Sequence, residues 1–587
     1  MCGIVGEYFF KNKCGNHNIE LMLDKIKSRG PDFSGFEIKD HICLGHSRLS
    51  IIDLSNASNQ PFEDNEAKLS MVYNGCIYNY VELRKILTKK GYSFKTTGDT
   101  EVVLKSYIEW GHKCLKMFEG DFALAIWDMK ERKLFLARDR FGVKPLYFSN
   151  SKDSFRFGST LQSIIVKKDI SLNLDPKSLH MHFSLHAVVP APNTIFENIK
   201  KVPPGHYLII NEDKKVIIKK YWELESIKHN NIIKDENEAI DLIRDLLLKS
   251  IEKRLSASDI DVGILLSGGL DSSLIVALAK DKFPKLKTYS IGFEDDKEEK
   301  GSEFFYSDQV AKKFKTNHKK YIISNNSVLS RLPETFKSMS EPMVAQDAVA
   351  FYMLSELVSK DVKVILSGQG ADEGFAGYFW YQKICKELND YSNFSKHYLD
   401  RGDKEIKEFL NMKFNKDYTS SMIKKSFKTI NAETLIGKVL NFDITTLVID
   451  DPVKRVDNMT MAWGLEARVP FLDHELIETS IRIDPNLHLK RNGKNILKVI
   501  ADDILPKDII VRKKGYFPMP ALKFIRGEYY DFVYDILNSS ECYNRNLYNR
   551  DYIKKLLKKP NDYKTAIEGN KLWHAAATEL WFQQNIV

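Results

Sequence analysis

Two stretches of this 587-residue chain concentrate residue types that do chemistry. The first is DVGILLSGGLDSSLIVALAK at 261–280, a short apolar run, paired glycines among three serines, then a helical pattern. Gly268 and Gly269 let backbone approach an anion closely, while Ser267, Ser272 and Ser273 offer hydroxyls and a helix N-terminus adds partial positive charge. That composition predicts a phosphate cradle. It is not a Walker A loop, because the lysine of the G-K-[S/T] pattern is missing. Asp271, inside the loop, is an acceptor-only group suited to holding Mg²⁺ against phosphates. The second stretch is MCGIVGEYFF, with Cys2 behind a single Met1. If Met1 is removed, a thiol and a free α-amine share one residue, and the amine can activate its own side chain as a base.

The elements around these stretches change style along the chain. Up to about residue 210 the pattern is period-two alternation with helices such as Ile19 to Arg29 and Tyr80 to Lys89, which predicts packed antiparallel sheets. A Pro-Pro-Gly turn and a final hairpin then lead into the polar SIKHNNIIKDENE. From Asp261 onward, apolar runs such as DVGILL, TYSIGF and VKVILSG alternate with helical segments, the signature of parallel strands buried by crossover helices. The expected division is 1–212, a connecting hairpin and linker at 213–236, and 237–587. Residues Tyr381 to Thr429 read as exposed helices over the site, and EDDKEEK, from Glu294 to Lys300, as a solvated loop.

Composition narrows the function classes. A chain that is 43% hydrophobic, 28% charged and 11% aromatic is an ordinary globular protein. Its net charge of +9 is spread rather than gathered into a stripe, which argues against nucleic acid as a partner. No run approaches the roughly 20 apolar residues of a membrane span, and the N-terminus has no signal-peptide pattern, so a cytoplasmic protein is expected. Seven widely spaced cysteines without C-x-x-C predict reduced thiols and no zinc site. The expected partners are small-molecule substrates, with a homodimer as the open assembly.

Further motifs carry a resemblance. SRGPDFSG, GHSRLSIIDL, NGCIYNY and TTGDTE match class II glutamine amidotransferase domains, SGGLDSS matches the pyrophosphate loop of ATP pyrophosphatases, and ARDRFGVKPLYF and MAWGLEARVPFLD are further hallmarks. Nearly the whole chain resembles the glutamine-hydrolysing asparagine synthetases. The resemblance implies an N-terminal Ntn-hydrolase αββα sandwich and a C-terminal α/β domain of the adenine nucleotide alpha hydrolase type. It implies ATP and Mg²⁺ as cofactors. By it, Cys2 attacks glutamine, Arg48 clamps the substrate α-carboxylate, Asp99 holds the α-ammonium, and Asn74 with the Gly75 N–H forms the oxyanion hole. ATP would lie against Leu266, Ser267, Gly268, Gly269, Asp271, Ser272, Ser273, Ile291, Ser367 and Gly368. Asp271 and Asp372, the latter in KVILSGQGADEGFAGY, would hold the metal, and Lys494 in RNGKNILK would be the essential lysine. Arg468 and Asp473 would line the route between the sites, and Glu341 and Asp347 would border the acceptor pocket.

Two positions depart from the family pattern. Cys76 stands where N-G-E is usual, and Gln369 where many relatives carry a carboxylate. For the acceptor, NGCIYNY, HAVVPAPNTI and KKGYFPMPALKF resemble the subfamily that amidates N-acetylglutaminylglutamine, while aspartate is the family default. The dipeptide is the favoured expectation on resemblance alone.

Overall fold

Side-chain alternation decides how the first unit is layered. Along the strand Gly120–Asp128, Phe122, Leu124 and Ile126 enter one core while Ala123, Ala125 and Trp127 enter another. A strand apolar on both faces must be covered on both. The computed structural model describes residues 2–11, 14, 17–225, 231–294, 302–386, 391–512 and 524–586.

Twelve of the described strands belong to the first unit. They are β1 (Gly3–Phe9), β2 (Phe33–Lys39), β3 (Ile42–Arg48), β4 (Phe62–Asp64), β5 (Leu69–Ile77) and β6 (Gly120–Asp128), followed by β7 (Lys133–Arg138), β8 (Tyr147–Asn150), β9 (Ser154–Gly158), β10 (Lys200–Lys201), β11 (His206–Ile210) and β12 (Val216–Lys220). They form two antiparallel sheets of six, in the orders β10-β8-β9-β1-β3-β2 and β12-β11-β7-β6-β5-β4. The sheets face each other across Ile4, Leu44, Val72, Ala123, Leu136 and Phe157. Helices Tyr80–Lys89 and Asp99–Trp110 cover the outer face of one, and Ile19–Asp24 covers the other, giving the expected αββα sandwich. The helix expected over Ile19 to Arg29 closes early, at Asp24, and a separate tight turn follows at Lys27–Arg29.

One segment sits differently from the sequence reading. β12 pairs with β11 from His206↔Lys220 to Ile210↔Val216 and is an edge of the second sheet rather than part of a connector. Ile210 and Val216 join the core between the sheets, so the hairpin is held there by apolar contact. Of the segment read as a linker, residues 226–230 lie outside the described residues, as do 295–300 of EDDKEEK and 513–523 of KKGYFPMPALKF.

The second unit centres on a five-stranded parallel sheet: β13 (Val262–Leu265), β14 (Lys287–Phe293), β15 (Asn317–Ile323), β16 (Val364–Leu366) and β17 (Glu466–Arg468), ordered β15-β14-β13-β16-β17. The chain runs outward from β13 to β15 and then resumes on the other side at β16. That reversal leaves a crevice beyond the carboxyl ends of β13 and β16, the place where open α/β sheets bind ligands. Large apolar clusters bury both faces of the sheet. Of Tyr381 to Thr429, residues 387–390 lie outside the described residues; 381–386, 391–398, 403–409 and 418–429 are helical as expected but not an exposed cover. Tyr381, Ile384, Phe394, Tyr398 and Phe427 pack into an aromatic core of their own, which outweighs the lysines between them.

Candidate active site

The first site forms where β1, β3 and β5 end together. Cys2 precedes β1, and its backbone nitrogen donates to Asn74 Oδ1 at 3.0 Å. Asn74 is fully buried on β5, and its Nδ2 has no hydrogen-bond partner among the described residues. An unanswered buried donor beside a thiol is the arrangement an oxyanion hole requires. Cys2, Arg48, Gly75, Cys76 and Asp99 line one pocket. Burial pushes the Cys2 thiol up, so it needs a base to ionise.

Two side chains of opposite sign face that pocket. Arg48 spends three N–H groups on its own loop, donating to Ser55 O and Asn59 Oδ1 at 2.7 Å each and to Asp53 O. Its remaining two N–H groups can still grip a carboxylate. Asp53 supports the loop by accepting from Ser55 N and from Thr97 N, at 3.1 and 2.8 Å. Asp99 accepts from Tyr73 Oη at 2.8 Å and Ile77 N at 3.0 Å and has no cationic partner among the described residues. Burial raises its pKa, and an incoming ammonium would supply the missing counter-charge. Cys76 lines the same pocket as a buried thiol pushed up by desolvation, hence neutral.

The far wall of this pocket comes from the second unit. Glu466 and Arg468, both on β17, line it, and Arg468 Nε donates to Glu466 at 2.5 Å. Arg29 ties the units directly, donating to Cys2 O at 3.2 Å and forking onto Asp457 at 2.8 and 3.0 Å. Glu466, Arg29 and Asp457 were not singled out from sequence, since each is an ordinary charged residue until the units close.

The second site lies in the crevice of the parallel sheet. Leu266 to Gly269 follow β13, and Gly269 opens the helix Leu270–Ala279. Gly268 has φ +72°, and a Cβ there would stand 2.6 Å from Ser307 N, which explains the glycine. Ser267 and Ser272 hydroxyls lie 3.1 Å apart, and the buried Ser273 Oγ has no partner among the described residues. Ile291 sits on β14, the neighbour of β13. Ser367 and Gly368 follow β16, and a Cβ on Gly368 would stand 3.1 Å from Asp271 Cβ, so the two loops touch. Gln369 accepts a hydrogen bond from Ser367 Oγ.

Lys494 joins them. Its ammonium contacts Asp271 at 2.7 and 2.8 Å and Asp372 Oδ1 at 2.7 Å, bringing together three residues 101 to 223 positions apart. Burial opposes its charge, but the two carboxylates outweigh that and hold the ammonium well above the ordinary lysine value. The loop delivering it is strained: Arg491, Asn492 and Lys494 have φ of 53°, 62° and 54°. Each such non-glycine residue costs on the order of 1–3 kcal/mol, tolerated where the surroundings fix it. Two converging carboxylates are also the hard oxygen donors that Mg²⁺ prefers, so the donor set fits that ion.

Other expected residues have partners of their own. Asp473, expected with Arg468 along the route between the two sites, is not among the residues lining the Cys2 pocket. It caps the helix His474–Ser480 and pairs with buried Arg254 at 3.3 Å. Glu341 is not at an open acceptor pocket, because Lys201 and Tyr147 Oη, each at 3.1 Å, close it into a buried ion cluster between the units. Asp347 pairs with Arg455 at 3.2 Å, and Arg455 also donates to Asp451 at 2.6 Å.

Comparison with known proteins agrees with this division. Residues 1–222 match the glutamine amidotransferase domain model and residues 242–583 the asparagine synthase model. Asparagine synthetase [glutamine-hydrolyzing] 1 of Bacillus subtilis is 31% identical over all of this chain and 97% of its own length. Asparagine synthetase [glutamine-hydrolyzing] 3 of the same organism is 34% identical over 88% of this chain and 87% of its own length. The chain belongs to the asparagine synthase family. A putative asparagine synthetase of Methanocaldococcus jannaschii is 37% identical over 64% of this chain and 76% of its own length. As a member of the asparagine synthase family, the chain is a glutamine-dependent amidotransferase ligase. None of its described helices is long and apolar enough to cross a membrane.

In this family member Gly377 makes room for the second site. A Cβ there would fall 2.1 Å from Asp372 Oδ1 and 2.2 Å from Lys494 Cε. Gly377→Ala is expected to displace both and slow ATP-dependent amide synthesis by about 100-fold. Amide formation will report the loss, while glutamine hydrolysis without ATP stays unchanged; equal loss of both would refute the local role.

Proposed function

We propose that Cys2 hydrolyses glutamine and that the ammonia is delivered to a carboxylate adenylated by Mg²⁺-ATP in the second unit. Removal of Met1 would leave the Cys2 nitrogen, already beside Asn74, as the α-amine that deprotonates the thiol. The thiolate attacks the side-chain amide, Asn74 Nδ2 and the Gly75 N–H stabilise the oxyanion, and Arg48 and Asp99 hold the substrate's charged end. In the crevice, the glycine and serine loop after β13 holds the phosphates and Lys494 offsets charge at the α-phosphate and acyl centre. Asp271 and Asp372 would hold Mg²⁺, which supplies further neutralisation of the phosphates when bound. The observation that carries the synthetase reading is the convergence of Asp271, Asp372 and Lys494 at the switch point of the sheet.

The surroundings of Arg455 favour aspartate over the dipeptide as acceptor. Asp347 and Asp451 flank this guanidinium, and Tyr378 Oη donates to Glu373 at 2.6 Å. The charges of Glu373, Asp372 and Asp451 all act on Tyr378, which places this group next to the Lys494 site. Two carboxylates on one guanidinium, with the charge of Glu373 also acting on it, suit a molecule bearing both an ammonium and a carboxylate. N-acetylglutaminylglutamine, the acceptor favoured by motif resemblance, has no ammonium to offer.

The test supplies glutamine, Mg²⁺-ATP and either acceptor, and measures AMP, pyrophosphate and amide. AMP and pyrophosphate in equal amounts with aspartate are expected. ADP and orthophosphate would remove the adenylation reading, and turnover with the dipeptide alone would reverse the choice of acceptor.

A further inference from the structure

Behind the Arg29 bridge, the two units enclose a cleft of about 890 Å³, within the roughly 300–1,000 Å³ typical of small-molecule sites. Segments within 24–29 and 160–172 form one side, and segments within 337–340, 458–462 and 584–586 the other. Its charge is one-sided. Lys25, Arg29, Lys167, Lys168 and Lys337 line it against Asp24 as the acid. The chain as a whole is nearly balanced, at 88 basic to 79 acidic residues, so this cleft departs from the average surface. Arg29 is answered by Asp457, whereas the four lysines have no ion-pair partner among the described residues.

The cleft also has built polar groups. Asn458 is 4% exposed, its Oδ1 accepts from Ser340 N at 2.6 Å, and its Nδ2 has no partner among the described residues. Gln162 Nε2 spans the seam, donating to Met339 O at 2.7 Å and Asn585 Oδ1 at 2.8 Å. A concave surface of one sign with low-dielectric walls concentrates counter-ions. Neither proposed substrate site uses these lysines, and Arg29 connects the cleft to Cys2 by donating to its carbonyl.

We propose that this cleft is a binding site for a small polyanion, a molecule carrying several phosphate or carboxylate charges, held between the two units by Lys25, Lys167, Lys168 and Lys337. The test is calorimetric titration of the full chain with tripolyphosphate and, separately, with citrate, in the presence of saturating magnesium and a non-hydrolysable ATP analogue to occupy the phosphate loop. Saturable binding with one site per chain is expected, weakened about tenfold or more in Lys167→Glu/Lys168→Glu. Glutamine hydrolysis by that variant, unchanged, confirms that it is folded. Binding of tripolyphosphate alone assigns phosphate chemistry, and of citrate alone carboxylate chemistry. No saturable binding of either at low millimolar concentration, or equal binding by wild type and variant, overturns the proposal.

Discussion

Cys2→Ala will abolish amide formation from glutamine, a fall of about 1,000-fold or more, while synthesis from free ammonia stays within about twofold. The asymmetry follows from the architecture. The thiol lies in a pocket built on β1, β3 and β5, whereas Asp271, Asp372 and Lys494 meet at the parallel sheet. Removing sulfur takes away the nucleophile, and alanine fills less space than cysteine, so neighbouring packing suffers little. Parallel assays with glutamine and with ammonium chloride decide the matter. Residual glutamine hydrolysis in this variant would refute Cys2, and turn attention to Cys76, the other sulfur in the pocket.

Lys494→Met will have the opposite pattern: pyrophosphate release falls by about 100- to 1,000-fold with either nitrogen source, and glutamine hydrolysis persists. The ammonium is the shared counter-ion of two carboxylates less than 3 Å away. Its loss removes that positive charge from between the two acids and the incoming phosphates. Lys494→Arg will recover little, because the space beside Cε exists only through the missing side chain of Gly377. A variant that releases pyrophosphate at the wild-type rate would show that the lysine is a structural counter-ion only.

Local signals in the sequence were strong where a residue's role is set by its own neighbours along the chain. SGGLDSS marks a strand, a loop and a helix start by composition, and the helix at Tyr80–Lys89 and the strands around β6 and β7 follow from periodicity alone. Arg48, Asn74, Asp99 and Cys2 were legible through motif resemblance, and the fold brings Cys2, Arg48 and Asp99 to one pocket with Asn74 hydrogen-bonded to the Cys2 nitrogen. What was not legible depends on closure between distant segments. Glu341 is drawn into a buried cluster by Lys201, 140 residues earlier, and no local pattern announces that partner. Asp473 ends the motif MAWGLEARVPFLD, and nothing in that motif announces that it caps a helix through Glu475 N and pairs with the buried Arg254. The connector was misjudged at β12 because a two-sided hairpin reads the same whether it ends a sheet or bridges to the next unit. Arg455 lacked any signal, since an arginine between aspartates on a helix usually faces water.

The short strand β17 belongs by hydrogen bonding to the parallel sheet, yet two of its three side chains finish the wall around the thiol. The amidase half is therefore not a detachable cartridge. A truncated chain ending near residue 222 would carry the nucleophile and its oxyanion donor but present an open-sided cup to glutamine. Grafting this half onto another acceptor enzyme requires transplanting Glu466 and Arg468 as well.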